Sequence, residues 1–117
     1  MKDYRHLKVW SRSHELTLKL YRATLTFPRD EMFGVTSQIR RAAASIPANI
    51  AEGCGRDGDP EPRRFITISL GSACELDYFI LLATELGYLS PEEGSKFSSE
   101  ALQLRRMLGT FIQRLKA

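Results

Sequence analysis

Proline and glycine cluster at three places along the chain: Phe27-Pro28, the stretch from Gly53 to Pro62, and Gly87 to Pro91. Proline removes a helical donor and clashes with the preceding turn, and glycine gives the backbone freedom to leave the helix. No strand-like alternation is sustained between these breakers. They divide the 117 residues into four segments, each long enough for a helix.

Each segment carries an apolar stripe at helical spacing. In the first, about Asp3 to Thr26, Val9, Ser13, Leu16, Leu20, Ala23 and Phe27 repeat at steps of three and four, widened by Trp10, Tyr21 and Leu25. The second, about Glu31 to Cys54, is striped by Met32, Val35, Ile39, Ala42, Ile46 and Ile50. Pro47 lies inside it, so either a kinked helix or a break at Ser45–Ile46 is possible. The stripe keeps its phase to Ile50, which favours the kink. The third, about Pro60 to Leu86, opens on Asp59 as N-cap with Pro60 at the first helical position. The fourth, about Pro91 to Leu115, opens on Ser90 and Glu93 as a capping box. Its seam Phe97, Ala101, Leu104, Leu108, Phe111 and Leu115 steps by 4, 3, 4, 3, 4. Four long helices with short connections predict an all-α fold, an antiparallel up-down four-helix bundle occupying residues 1–117 as one domain.

The composition excludes several classes. Apolar residues make up 43% of the chain and charged residues 26%, which disfavours disorder. The start MKDYRHLKVW has no apolar signal core, and no run approaches the roughly 20 apolar residues of a membrane span, so a soluble, cytoplasmic protein with no membrane partner is expected. Cys54 and Cys74 are too few for a disulfide scaffold; Cys74 reads as buried and Cys54 as a partly exposed thiol at a helix end. No Glu is followed three residues later by His, and His14-Glu15 lacks the spacing of a zinc helix. With no phosphate-cradling glycine loop and no nucleophile elbow, neither catalytic residues, nor a metal, nor a cofactor is expected.

Charge is distributed unevenly. The net charge is +3, and residues 1–27 hold six basic side chains against two acidic ones. Arg5, Lys8, Arg12, Lys19 and Arg22 step by 3, 4, 7 and 3 and share one helix face, interrupted only by Glu15. Such a stripe could track a phosphate backbone, or it could be a solvated face.

Two further features concern assembly and register. Tyr78, Phe79, Ile80, Leu81, Leu82 and Ala83 run unbroken, so the third helix is apolar all round. A bundle cannot bury the outer side of its own helix, so Tyr78, Leu81 and Leu82 are expected to meet a partner, in an oligomer or a docking patch. In the stretch SQIRRAAASIPANIAEG (37–53), Arg40, Arg41, Asn49 and Glu52 lie near the stripe, and Glu75 sits in GSACEL (71–76). A buried carboxylate needs a partner, so Glu75 or Glu52 is expected to pair with Arg40 or Arg41 between helices and fix register.

These stretches, with LATELGYLS (82–90) and VWSRSHELTLKLYRATLTFPRDEMFG (9–34), resemble the bacterial four-helix bundle proteins encoded by intervening sequences in large-subunit ribosomal RNA genes. The resemblance runs from about Tyr4 to Leu115. It departs in the linker, where DGDPEPRR (57–64) adds two prolines and leaves the start of the third helix open. The resemblance implies an up-down bundle that forms homopentamers, in a family whose biochemical role is largely unassigned. The related accessory variability proteins of diversity-generating retroelements are pentameric barrels that bind a reverse transcriptase and nucleic acid. The expected partners are therefore further copies of the chain, and RNA, DNA or a reverse transcriptase held by the basic stripe. The rival reading is a protein–protein adaptor or structural ring.

Overall fold

The computed structural model describes residues 3–56 and 61–115. The proposed Asp59–Pro60 cap lies outside them. Four helices carry the fold: α1 (Lys8–Ala23), α2 (Val35–Cys54), α3 (Glu61–Glu85) and α4 (Pro91–Leu115). Each runs antiparallel to the next. Thr17 faces Ala43, Arg41 faces Glu75, and Asp77 faces Ser98, while Arg12 faces Gln103 across the seam that closes α1 on α4. The result is an all-α up-down four-helix bundle 45 Å long. Its core is one continuous cluster, including Leu16 and Leu20 from α1, Ile39, Ile46 and Ile50 from α2, Ile66, Leu76 and Ile80 from α3, and Leu104 and Leu108 from α4.

The two upstream helices are shorter than the stripes predict. Leu7 is extended, and a separate 3-10 turn, Tyr4–His6, precedes it, held by Asp3, whose carboxylate accepts the Arg5 N–H at 3.0 Å. That bond is the main reason the Asp3 carboxyl lies below the usual carboxylate range. After α1 the chain passes through two more 3-10 turns, Thr24–Thr26 and Arg29–Glu31. Glu31 does not begin α2 but serves it: one carboxylate oxygen accepts the Val35 N–H at 3.2 Å, the other accepts the Tyr88 hydroxyl at 2.8 Å. This second bond raises the Tyr88 pKa and ties the α1–α2 connection to the α3–α4 connection. That connection is a helix stop built on Gly87, whose φ of +82° is the left-handed region glycine tolerates. The Tyr88 N–H reaches Ala83 O and the Gly87 N–H reaches Thr84 O, the paired bonds of a Schellman cap. α4 then starts on the expected capping box, with Ser90 and Glu93 bonding each other's N–H at 3.0 and 3.1 Å.

Pro47 does not break α2, which is continuous. It does leave the Ala43 carbonyl without its intrahelical donor. Thr17, buried on α1, places its hydroxyl 3.1 Å from that carbonyl and 2.8 Å from its own Ser13 O, so one hydrogen serves both. The helix defect is thereby repaired by the neighbouring helix.

α2 and α3 make the most extensive contact of any pair. It is built on small polar residues. Ser45 and Ser72 hydroxyls meet at 2.8 Å, and Ser69 donates to Ile46 O at 2.9 Å. Gly53 lies under the start of α3, where a side chain would press on Pro62, Phe65 and Ile66.

Several expectations need correction here. Only Arg41 reaches Glu75, at 3.0 Å, and that pair is surface-borne, with side chains 56% and 42% exposed. Arg40 meets no carboxylate. Its Nε donates to Thr24 Oγ1 at 2.8 Å and its guanidinium stacks over the Tyr21 ring, so it closes the C-terminal end of α1. Glu52 pairs with Arg56 one turn on, and Asn49 donates to Ser45 O and Oγ. The cysteines exchange roles: Cys54 is buried in the core cluster at the end of α2, and Cys74 is exposed on the outer side of α3. Burial pushes the Cys54 thiol pKa up. Finally, Pro62–Glu85 is long and apolar enough to cross a membrane by length and composition, with mean hydropathy 1.5. Asp77 on this helix is nevertheless held by Ser98 at 2.6 Å within the bundle.

Two measurements follow. Thr17→Val should lower the unfolding free energy by about 1–3 kcal/mol, since it strands the Ala43 carbonyl. In a Pro47→Ala background the restored N–H should shrink that loss, giving a coupling of about 1 kcal/mol in denaturant melts; strict additivity would refute the repair. Glu75→Gln should cost less than about 1 kcal/mol, because the ion pair is wet. A large drop in melting temperature would show the pair to be more than a surface contact.

Candidate nucleic-acid interface

The basic ladder predicted on the first segment is present, but its members differ. Lys8, Arg12, Lys19 and Arg22 are all exposed on α1, while Arg5 precedes it in the 3-10 turn. Arg5 is held by Asp3 at 3.3 Å, and Lys19 pairs with Glu100 of α4 at 3.3 Å. Arg12 donates to Gln103 of α4 at 3.1 Å. Among the described residues, Lys8 and Arg22 have no carboxylate partner. The stripe is therefore neutralised at Arg5 and Lys19 and keeps its charge at Lys8, Arg12 and Arg22.

Sequence reasoning on α1 alone missed the residues that α4 brings to the same side. Lys96, Gln103, Thr110 and Arg114 step by 7, 7 and 4 along α4, a helical face that was available as a signal. With Arg106 they line the α1–α4 seam. At the end carrying the chain termini this seam opens into a groove of about 460 Å3 lined by Leu7, Lys8, Val9, Arg106, Met107, Thr110, Phe111 and Arg114. Among the described residues no carboxylate lines it.

Charge is also polarised along the bundle. Arg5, Lys8, Arg63, Arg64, Arg106 and Arg114 lie toward the terminal end, whereas Asp30, Glu31, Glu85, Glu92 and Glu93 lie toward the end with the α1–α2 and α3–α4 connections. Aromatic rings accompany the cations at the terminal end: Trp10 stacks on His14 with centroids 4.9 Å apart and meets Tyr4 at 5.0 Å with the rings tilted by 59°, and Arg5 lies over the Tyr4 ring. The opposite end exposes Leu25, Met32, Leu86 and Phe33, the last at 94%.

The face expected to meet a partner is placed outward. Tyr78 is 56% and Leu81 53% exposed, with Leu82 half-buried beside them. Ile68 and Cys74 extend the same outer side of α3, and nothing stands within 4 Å of a side chain added at Gly71. Among the described residues no group of three or more His, Cys, Asp or Glu is placed to hold a metal.

Three comparisons bear on this arrangement. The solved structure of a protein of unknown function from the S23 ribosomal protein family of Bacteroides thetaiotaomicron VPI-5482 shares the fold, with a TM-score of 0.79 at 22% identity. That alignment covers 89% of this chain and 97% of the other. No curated protein matches the chain. The model of the 23S rRNA-intervening sequence protein family matches residues 5–110, which takes in the α1 ladder, the SIPANIAEG turn of α2, the outward face of α3 and most of α4. The chain belongs to the 23S rRNA-intervening sequence protein family.

Proposed function

We propose that the chain works without catalysis of its own, as a homo-oligomeric helical scaffold that binds nucleic acid or an enzyme acting on nucleic acid. The observation that carries this reading is the α1–α4 side of the bundle, where two helices present cations and Lys8, Arg22, Arg106 and Arg114 lack a carboxylate partner among the described residues. Such cations gain energy from phosphates by releasing condensed counterions, and they position a strand without reading its sequence. Assembly rests on α3. Leaving about half of Tyr78 and of Leu81 in water forgoes about 1 kcal/mol each, and a second copy seated on that face would recover it. The family resemblance suggests five subunits. A ring repeats each cationic side around an axis, so weak contacts add through effective concentration.

A second reading, a protein–protein adaptor with no nucleic-acid role, is favoured by the apolar end of the bundle around Phe33, which resembles a docking patch more than a solvated loop.

Assembly can be read with the chain's own thiols. In sedimentation the protein should run as a multimer, and Tyr78→Glu with Leu81→Glu should reduce it to monomer. Cys74 should react slowly with a thiol reagent in the native protein and quickly in that variant, while buried Cys54 stays inert in both. Fast Cys74 labelling of the native protein would mean the α3 face is bare. Binding is read by fluorescence anisotropy against labelled RNA and DNA across a salt series. The affinity should fall linearly on a log–log salt plot, with a slope reduced by about 1 to 2 in Lys8→Glu/Arg22→Glu. No binding at low salt would leave the adaptor reading.

A further inference from the structure

We propose that the groove at the terminal end of the α1–α4 seam is a seat for single-stranded nucleic acid, its phosphates held by Lys8, Arg106 and Arg114 and its bases laid on the apolar floor. This inference rests on the nucleic-acid reading above and locates it.

The argument starts from the groove's chemistry. Its floor is Leu7, Met107 and Phe111, partly buried residues that pack on the core yet keep a face open to the groove. Its rim is Lys8 from one helix and Arg106 and Arg114 from the other, all exposed and none ion-paired among the described residues. A solvated helix face has no need of an apolar trough between its charges. A duplex has none either, since its bases are stacked inward and only its phosphates reach a convex protein surface. A single strand offers both parts at once, with unstacked base faces for the aromatic and thioether floor and phosphates for the rim. Phe111 is the one aromatic ring in the groove, and Arg106 and Arg114 stand two turns apart on α4, about 12 Å along the helix. That span suits a short run of nucleotides rather than one.

Electrostatics supports the same occupant. Along the adjacent stretch Arg12 donates to the neutral amide of Gln103, and Lys19 pairs with one oxygen of Glu100. Lys8, Arg106 and Arg114 converge on the groove end, where no carboxylate intervenes among the described residues, while Arg12 and Arg22 stand singly farther along the seam. An acidic strand therefore meets a local positive field whose strength falls off along the seam.

The test compares a labelled 20-nucleotide single-stranded RNA with the duplex of the same sequence by anisotropy at low salt. The native protein should bind the single strand more tightly than the duplex. Lys8→Ala/Arg106→Ala/Arg114→Ala should weaken the single strand far more than the control triple Arg29→Ala/Arg41→Ala/Arg63→Ala, which removes the same charge away from the α1–α4 seam. Phe111→Leu keeps the floor apolar but removes the ring. It should weaken the single strand about fivefold or more while leaving duplex binding and the helical circular dichroism signal unchanged. If the native protein binds neither probe, the nucleic-acid reading fails and this one with it. If it binds, but the groove triple behaves like the control triple or duplex and single strand bind equally, the groove assignment alone is overturned.

Discussion

The close approach of α2 and α3 governs the rest of the structure. Two serine hydroxyls can meet at 2.8 Å across a helix pair only if the backbones are near, and the Ser69 bond to Ile46 O on the same seam requires the same. Small residues must therefore face inward along the middle of α3: Ser69, Ser72 and Ala73 are all buried. Bulky core residues flank that stretch, Ile66 before it and Leu76 and Ile80 after it, and others lie on the outer side of the helix. Ile68, Tyr78 and Leu81 stand in water there. The reversal explains how one helix can be apolar enough to match a membrane span in composition while sitting in a bundle. Under the proposed reading, the second copy of the chain completes what α2 began, covering the bulk that close packing on the inside displaced.

The α1–α2 seam is held by a different device. Pro47 removes a donor, Thr17 answers it from α1, and Arg40 returns the favour by closing the end of α1 through Thr24 and Tyr21. Each helix thus supplies the polar group that the other lacks. Such reciprocal bonds fix register more tightly than apolar contact does, because a slide by one turn would strand a buried carbonyl. No comparable exchange joins α1 to α4, where the cross-links are the exposed pairs of Lys19 with Glu100 and Arg12 with Gln103. The seam between the first and last helices is accordingly the one that opens into grooves.

How much of this was legible in the sequence follows from the range of each interaction. Periodicity and punctuation gave four helices, and for α4 they gave both ends, because a capping box and a heptad seam are local and strong. The bundle and the family resemblance were also open to reading. The first turn of α2 was misplaced because Met32 fits the stripe, whereas Glu31 caps Val35 and is held by Tyr88 more than fifty residues away. The cysteines were misassigned for a similar reason. Cys74 sits among apolar neighbours on a helix that is apolar on its outer side too, and Cys54 looks terminal in sequence but lies in the core cluster. The ladder's pairing with Glu100 and Gln103 was invisible from α1, since only the antiparallel register places α4 beside it.

That register also bears on what the uncompensated cations are for. Lys8, Arg106 and Arg114 come from the two ends of the chain, and folding alone brings their like charges to one groove. In water their mutual repulsion is small, because exposed charges are screened within about 8 Å at physiological salt. The free protein therefore bears little cost for keeping them. The balance changes when a polyanion arrives: each phosphate neutralised releases a counterion, and the gain scales with the number of cations gathered in one place. Three cations scattered over the surface would be equally soluble and would bind a strand less well. Under the proposed reading, the convergence of three cations over an apolar floor is what makes this groove a seat for a strand.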